Sequence, residues 1–252
     1  MSVMTASSQP RVLVTGAAGR VGSRFAEFAA GRYRLRLSDR PQADMSALHA
    51  YGEVVSADLT DPDAMTALCS DVDTVVHLAG EPRPDAGWDT LLPSNVIGAY
   101  NVFEAAAGAG CRRLVFASSV HAVVGYPEDK QIRVTDPVNP ATLYGVTKCF
   151  GEALGRYYGE QRGISVIALR IGAYQTRESA LTIRGERIDH VYISPRDLNQ
   201  LLVRAIEFDG DGFLMVNATS ENSIQHLDLT EARTVLGYAP VDGFVDGRLH
   251  AE

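Results

Sequence analysis

The chain has 252 residues, 46% of them hydrophobic and 21% charged, which is ordinary for one water-soluble globular domain. A formal charge of −8, with basic residues scattered and outnumbered, argues against a polyanion partner such as nucleic acid. No apolar run approaches the roughly 18 residues of a membrane span, and Cys69, Cys111 and Cys149 lie too far apart to suggest a zinc cluster or a disulfide framework, so no metal is expected.

Residues 1–10 are polar and lack a basic segment followed by an apolar stretch, so they read as a loose tail without an export signal, and the expected compartment is the cytoplasm. One domain is expected over residues 11–252. Arg11 to Thr15 is a short apolar run ending at glycines, and Val21 to Ala30 carries apolar residues at helical spacing, giving strand, turn and helix. Strands follow at Tyr33 to Ser38, Glu53 to Ser56 and Thr74 to His77, with a helix at Asp63 to Cys69. Leu91 to Gly108 reads as a long helix closed by glycine, and Arg113 to Ala117 as a buried strand running into Ser118 and Ser119. After a proline-broken loop, residues 141–162 form the longest helical stretch, followed by a strand at Ile164 to Arg170. This alternation predicts an α/β, Rossmann-like, doubly wound parallel sheet. Beyond it, Ala173 to Tyr192 suits a small lobe over a site, Pro195 to Phe208 a helix and Phe213 to Val216 a strand, so residues 173–252 are expected to supply much of a small C-terminal substrate-binding appendage.

Gly16, Gly19 and Gly22 fall between the first strand and first helix, with Arg20 and Val21 among them. Missing side chains there let backbone N–H groups approach a pyrophosphate at the positive helix end. Asp39 ends the second strand, where a carboxylate accepts from ribose hydroxyls and repels a 2′-phosphate, which selects NAD over NADP; Arg40 follows and could stack on adenine or tolerate a phosphate. Asp58-Leu59 and Leu78-Ala79-Gly80 stand after the third and fourth strands, where this topology meets adenine and the inner ribose, although Asp58 suits a turn or helix cap equally well. Tyr144 and Lys148 are spaced i, i+4 on one helix face, so the ammonium is expected to lower the phenol pKa from its usual value of about 10.

The glycine turn, Asp39, Asn95-Val-Ile-Gly98, Ser118-Ser119 and Tyr144-x-x-x-Lys148 together resemble an extended-type short-chain dehydrogenase/reductase, over about residues 11–240. His77-Leu-Ala-Gly80, Phe116 to His121, Leu143 to Glu152 and Leu169-Arg-Ile-Gly172 are similar to bacterial uronate dehydrogenases, which oxidise a hexuronic acid at its anomeric carbon with NAD. The resemblance implies that Ser119 rather than Ser118 hydrogen bonds the reacting hydroxyl, Tyr144 takes its proton and Lys148 also holds the nicotinamide ribose. It implies cofactor contacts at Asn95 and Ile171, with Asn95 on a helix of proton-relay or backbone-bridging contacts where it can equally act as a cap, substrate contacts at Glu81, Val120, His121, Gly172 and Ala173, and a homo-oligomer paired through the long helices. This chain departs from those enzymes at Val120 and Ala173, where they carry Asn and Ser, and in Glu81-Pro82-Arg83, which lacks their serine after the fourth strand. Arg177, Arg184 and Arg187 are the basic residues of the covering loop, with Arg184 placed at the substrate. A sugar epimerase or dehydratase, or a non-catalytic NAD-binding redox sensor, is the alternative.

Overall fold

A computed structural model describes residues 9–182 and 188–251. The chain runs β1 (Arg11–Thr15), α1 (Arg20–Ala29), β2 (Arg34–Asp39), β3 (Glu53–Ser56), α2 (Pro62–Cys69) and β4 (Thr74–His77). It continues through α3 (Trp88–Leu91), α4 (Gly98–Gly108), β5 (Arg113–Ser119), α5 (Leu143–Gln161) and β6 (Ser165–Ile171). Then come β7 (Ala173–Tyr174), α6 (Arg177–Thr182), α7 (Ile188–Val191), β8 (Tyr192–Ile193), α8 (Pro195–Glu207), β9 (Phe213–Ala218), α9 (Thr230–Leu236), β10 (Gly243–Val245) and β11 (Arg248–His250).

The main sheet has the order β3-β2-β1-β4-β5-β6-β9, and every pairing in it is parallel. Its strands are apolar on both faces because both are covered. Phe25 of α1 and Leu198 and Leu202 of α8 pack with Val14, Leu37 and Val216 on one side. Met65 of α2, Phe103 of α4 and Tyr158 of α5 pack with Leu13, Val75 and Leu114 on the other. The doubly wound fold expected from the alternation is therefore present.

Two local differences bear on the site. The expected helix from Leu91 to Gly108 instead starts at Trp88 and contains a π-helical turn over Leu92–Ile97. Pro93 lies in that turn and brings no N–H to the ladder, a setting in which a wider turn relieves the missing bond. Part of the C-terminal third is built into the core, since β9 is the seventh strand and α8 one of its covers. The rest makes the pairs β7-β8 and β10-β11 outside the main sheet. No helix among the described residues is long and apolar enough to cross a membrane.

Candidate active site

Strand order reverses beside β1, the setting in which a crevice forms outside the carboxyl ends of the strands. A cavity of about 1520 Å³ opens there. Among the described residues, every one singled out from sequence for catalysis, cofactor or substrate lines it, except Asn95. Arg184 and Arg187 lie outside the described residues. Arg177 opens instead into a separate cleft with Arg196, Asp242 and His250.

The glycine turn forms one end of the cavity. Gly16 has φ +73°, and a Cβ on it would lie 2.6 Å from the Ala79 nitrogen, so the first turn and the β4 loop meet backbone to backbone. α1 starts behind Gly19 with no side-chain cap and no acidic residue in its first turn. Its positive end is thus left to an external anion. The Arg20 guanidinium donates to the Tyr174 carbonyl at 2.9 Å and to Gln175 Oε1 at 2.7 Å, bridging the turn to the segment after β6.

Asp39 does two jobs at the end of β2. Its Oδ2 accepts from Ala18 N–H at 2.9 Å and its Oδ1 from Arg40 N–H at 2.8 Å, which fixes the carboxylate against the turn while it faces the cavity. Asp39→Ala is expected to raise KM for NAD roughly 10- to 100-fold, the loss of charge-assisted hydrogen bonds, with a smaller rise for NADP. Steady-state kinetics with both cofactors check this, and an equal rise for the two would remove the selecting role. Asp58 accepts from Thr60 N–H and Oγ1–H at 2.9 and 2.8 Å, bonds that lower its carboxyl pKa. It makes the turn, while Asp61 caps α2 through Asp63 and Ala64 N–H.

The opposite end is built by α5 against β5. Thr142 caps α5 by accepting from Gly145 N–H at 3.0 Å. A Cβ on Gly145 would overlap the His121 carbonyl and one on Gly151 the Phe116 ring, so glycines at these two positions seat the helix on the strand end. Pleat alternation then separates the two serines. Ser118 Oγ–H donates to Glu152 Oε1 at 2.6 Å, whereas Ser119 Oγ accepts from His121 N–H at 3.2 Å and pulls the Tyr144 phenol pKa down. The His121 ring meets the Tyr144 ring edge-on, with centroids 5.4 Å apart.

Lys148 is buried, donates from Nζ to the Ala117 carbonyl at 2.9 Å and stands 5.6 Å from the Tyr144 ring centroid. A hydroxyl donor, a phenol and an ammonium thus converge at the end of the crevice away from the glycine turn.

Residues 12–178 match the NAD dependent epimerase/dehydratase family. The chain belongs to it. It is 38% identical to the L-arabinose 1-dehydrogenase (NAD(P)(+)) of Haloferax volcanii, over 92% of this chain and 96% of that protein. It is 36% identical to the NAD-dependent glucose-6-phosphate dehydrogenase of the same organism, over 96% and 97%. A tyrosine-to-alanine variant of uronate dehydrogenase from Agrobacterium tumefaciens, solved in complex with NAD, matches with a TM-score of 0.83 at 33% identity, over 92% of this chain and 85% of that one.

The residues present fit the family's dinucleotide: a cradle that a Cβ would fill at Gly16, an uncapped helix end at Gly19 and a fixed carboxylate at Asp39. Asn95 Oδ1 accepts from Glu81 N–H at 2.7 Å, and its Nδ2 donates to the Glu81 carbonyl and Thr147 Oγ1, both at 3.1 Å, so the amide ties the β4 loop to α5, the backbone-bridging contact expected of it. One expectation needs correction. The Tyr144 phenol is raised, not lowered: burial dominates, Ser119 opposes it, and Glu81 adds a further upward push. Lys148 points past the ring to Ala117, and burial pushes its own pKa down to about 8 against the pull of Glu152. Burial likewise lowers the His121 pKa.

A lysine depressed to about 8 binds fewer protons in the folded chain than in the unfolded one, so stability rises with pH from about 8 to the unfolded value near 10.4. The burial cost below pH 8 is on the order of 3 kcal/mol, offset by about 1 kcal/mol from the Ala117 bond. Lys148→Met is therefore expected to melt above the parent at pH 7 while losing turnover, with the gap narrowing above pH 8. Thermal melts across this range check the sign.

Sequence reasoning missed Tyr126, Glu128, Tyr174, Gln175, His190 and His226, all lining the cavity. His226 arrives through a bridge pairing Ile132 with Leu227, 95 residues apart, for which no local pattern exists.

Proposed function

We propose that this protein is an NAD-dependent sugar dehydrogenase that oxidises the anomeric hydroxyl of a sugar or sugar acid to a lactone. The observation that carries the reading is the convergence of Ser119, Tyr144 and Lys148 at the far end of a crevice whose other end is a dinucleotide cradle. Bound there, NAD supplies the acceptor for the hydride leaving the anomeric carbon. Ser119 orients the sugar oxygen, and Tyr144 Oη takes the hydroxyl proton once ionised. Lys148, charged below about pH 8, stabilises that phenolate. Val120, buried at the pocket wall, and the half-buried Ala173 present methyl groups toward the substrate side, while His121 offers a ring nitrogen.

The test is reduction of NAD by the purified protein across uronic acids, neutral aldoses, sulfo sugars and simple alcohols, with the product identified as a lactone by NMR. Net accumulation of NADH with a free sugar distinguishes a dehydrogenase from an epimerase, which returns its cofactor to the oxidised state in each cycle. No NADH with any sugar would overturn the reading. The enzyme works in the cytoplasm, consistent with the free thiols of Cys69, Cys111 and Cys149. It acts as a homo-oligomer, for which the exposed Tyr100 of α4 and Val146 and Tyr157 of α5 supply apolar area. Light scattering during size-exclusion chromatography reads the state, and a monomer at working concentration would refute the assembly.

A further inference from the structure

Tyr144, Lys148 and Glu152 form one stripe of α5 at i, i+4 and i+8, and the third member has no part in the proton transfer above. Glu152 Oε1 accepts from Ser118 Oγ–H at 2.6 Å and from Arg170 Nε–H at 2.9 Å, while Oε2 accepts from Arg170 Nη2–H at 2.9 Å. Ser118 and Arg170 are register partners on β5 and β6, so the contacts close a triangle between two strands and the helix. The ion pair is buried, with side-chain exposures of 3% and 7%. Such pairs return little net stability compared with apolar packing, so stability alone does not explain its place under an active site. Two consequences do. Fixing Ser118 downward leaves Ser119, by alternation, pointing into the cavity. The carboxylate also lies one helical turn along α5 from a buried ammonium that donates to the Ala117 carbonyl.

We propose that Glu152 is a positioning residue for the oxidation, holding Lys148 in its charged form and Ser119 in its aim through the Ser118 and Arg170 contacts. The role in catalysis rests on the dehydrogenase reading; the role in charging Lys148 does not. The groups around Lys148 are Tyr144 and Glu152 of α5, His77 of β4, the Phe116 ring and Ala117 carbonyl of β5, Arg170 of β6, and Glu81 with Asn95 beside Gly80. Glu152 is the carboxylate that pulls the Lys148 pKa upward, against burial.

The test titrates the Lys148 amine in the ligand-free protein by NMR of ¹³C-labelled lysine, with the Lys148→Met spectrum assigning the signal. Glu152→Gln keeps an acceptor for Ser118 but removes the charge. It is expected to lower the Lys148 midpoint by about one pH unit, and to move the bend near pH 8, where the rise of kcat/KM stops, down by a similar amount. Glu152→Asp should restore the midpoint. If Glu152→Gln does not fold, the paired Glu152→Leu, Arg170→Met variant replaces both charges with apolar groups and should shift the midpoint in the same direction by less, because a positive charge leaves with the negative one. An unchanged midpoint in a folded variant overturns the charging role, whatever the substrate proves to be. A shifted midpoint with unchanged kcat and an unmoved bend overturns the positioning role, and absence of turnover in the parent overturns the dehydrogenase reading instead.

Discussion

Replacing Tyr144 with Phe is expected to reduce kcat for sugar oxidation about 10³-fold, within the span that general-base catalysis supplies, with NAD affinity unchanged to within about twofold. The ring is buried against His121, so Phe keeps the packing and deletes only the phenol oxygen, whose pKa Ser119 lowers. The pH profile sharpens the test. Burial raises the phenol and lowers Lys148 to about 8, so the productive pairing of ionised phenol and charged amine is a minority form of the ligand-free protein. Turnover should rise with pH up to about 8, where Lys148 begins to lose its proton, and then level off, since each further gain in phenolate is cancelled by loss of ammonium; the rise vanishes in the Phe variant. Steady-state kinetics between pH 6 and 10, roughly the window over which such a pair titrates, and NAD titration by fluorescence measure both parts. Unchanged turnover with the true substrate would remove Tyr144 as the base.

Much of this site was legible because its determinants are local. The Gly16, Gly19 and Gly22 spacing, a strand ending at Asp39 and the i, i+4 pair on α5 each fit within a few residues. The sheet brings them together by a topology that strand and helix alternation already implies. Ser119 over Ser118 follows from the pleat once β5 is known to extend through both. The rest depends on partners distant in sequence. Nothing around Asn95 says that its amide is consumed by Glu81 and Thr147, 14 and 52 residues away. Nothing around Arg20 announces that its guanidinium reaches Tyr174 and Gln175. The phenol pKa went the other way for the same reason: spacing places Lys148 near the ring, but burial and the Ala117 carbonyl decide where its charge sits and how much of it remains. The substrate wall was least legible, since it is assembled from the 310 turn after β5, the loop at Tyr126 and Glu128, α7 and the segment at His226. These pieces are joined by packing of Val120, Val191 and Leu227 and not by any periodic pattern.

Gly22→Ala is expected to weaken NAD binding at least about 100-fold and to destabilise the fold by about 1–3 kcal/mol, the cost of overpacking a closed contact. The residue lies in α1 with helical geometry, so backbone strain is not the cause. The cause is proximity. A Cβ there would overlap the Gly16 carbonyl and come within 2.7 Å of the Ala17 Cα, so α1 would have to lift from the turn. That displacement opens the cradle whose N–H groups face the pyrophosphate, and it also loosens Ala18, whose N–H anchors Asp39. Both halves of cofactor recognition therefore fail through one methyl group. Gly87→Ala is the matching control: it is a glycine with φ −75° just before α3, where an added Cβ meets nothing within 4 Å, and it should leave affinity and melting unchanged. Calorimetric titration with NAD and thermal melts of the two variants separate the outcomes. Parent-like affinity in Gly22→Ala would mean that the dinucleotide does not lie on the β1-α1 turn.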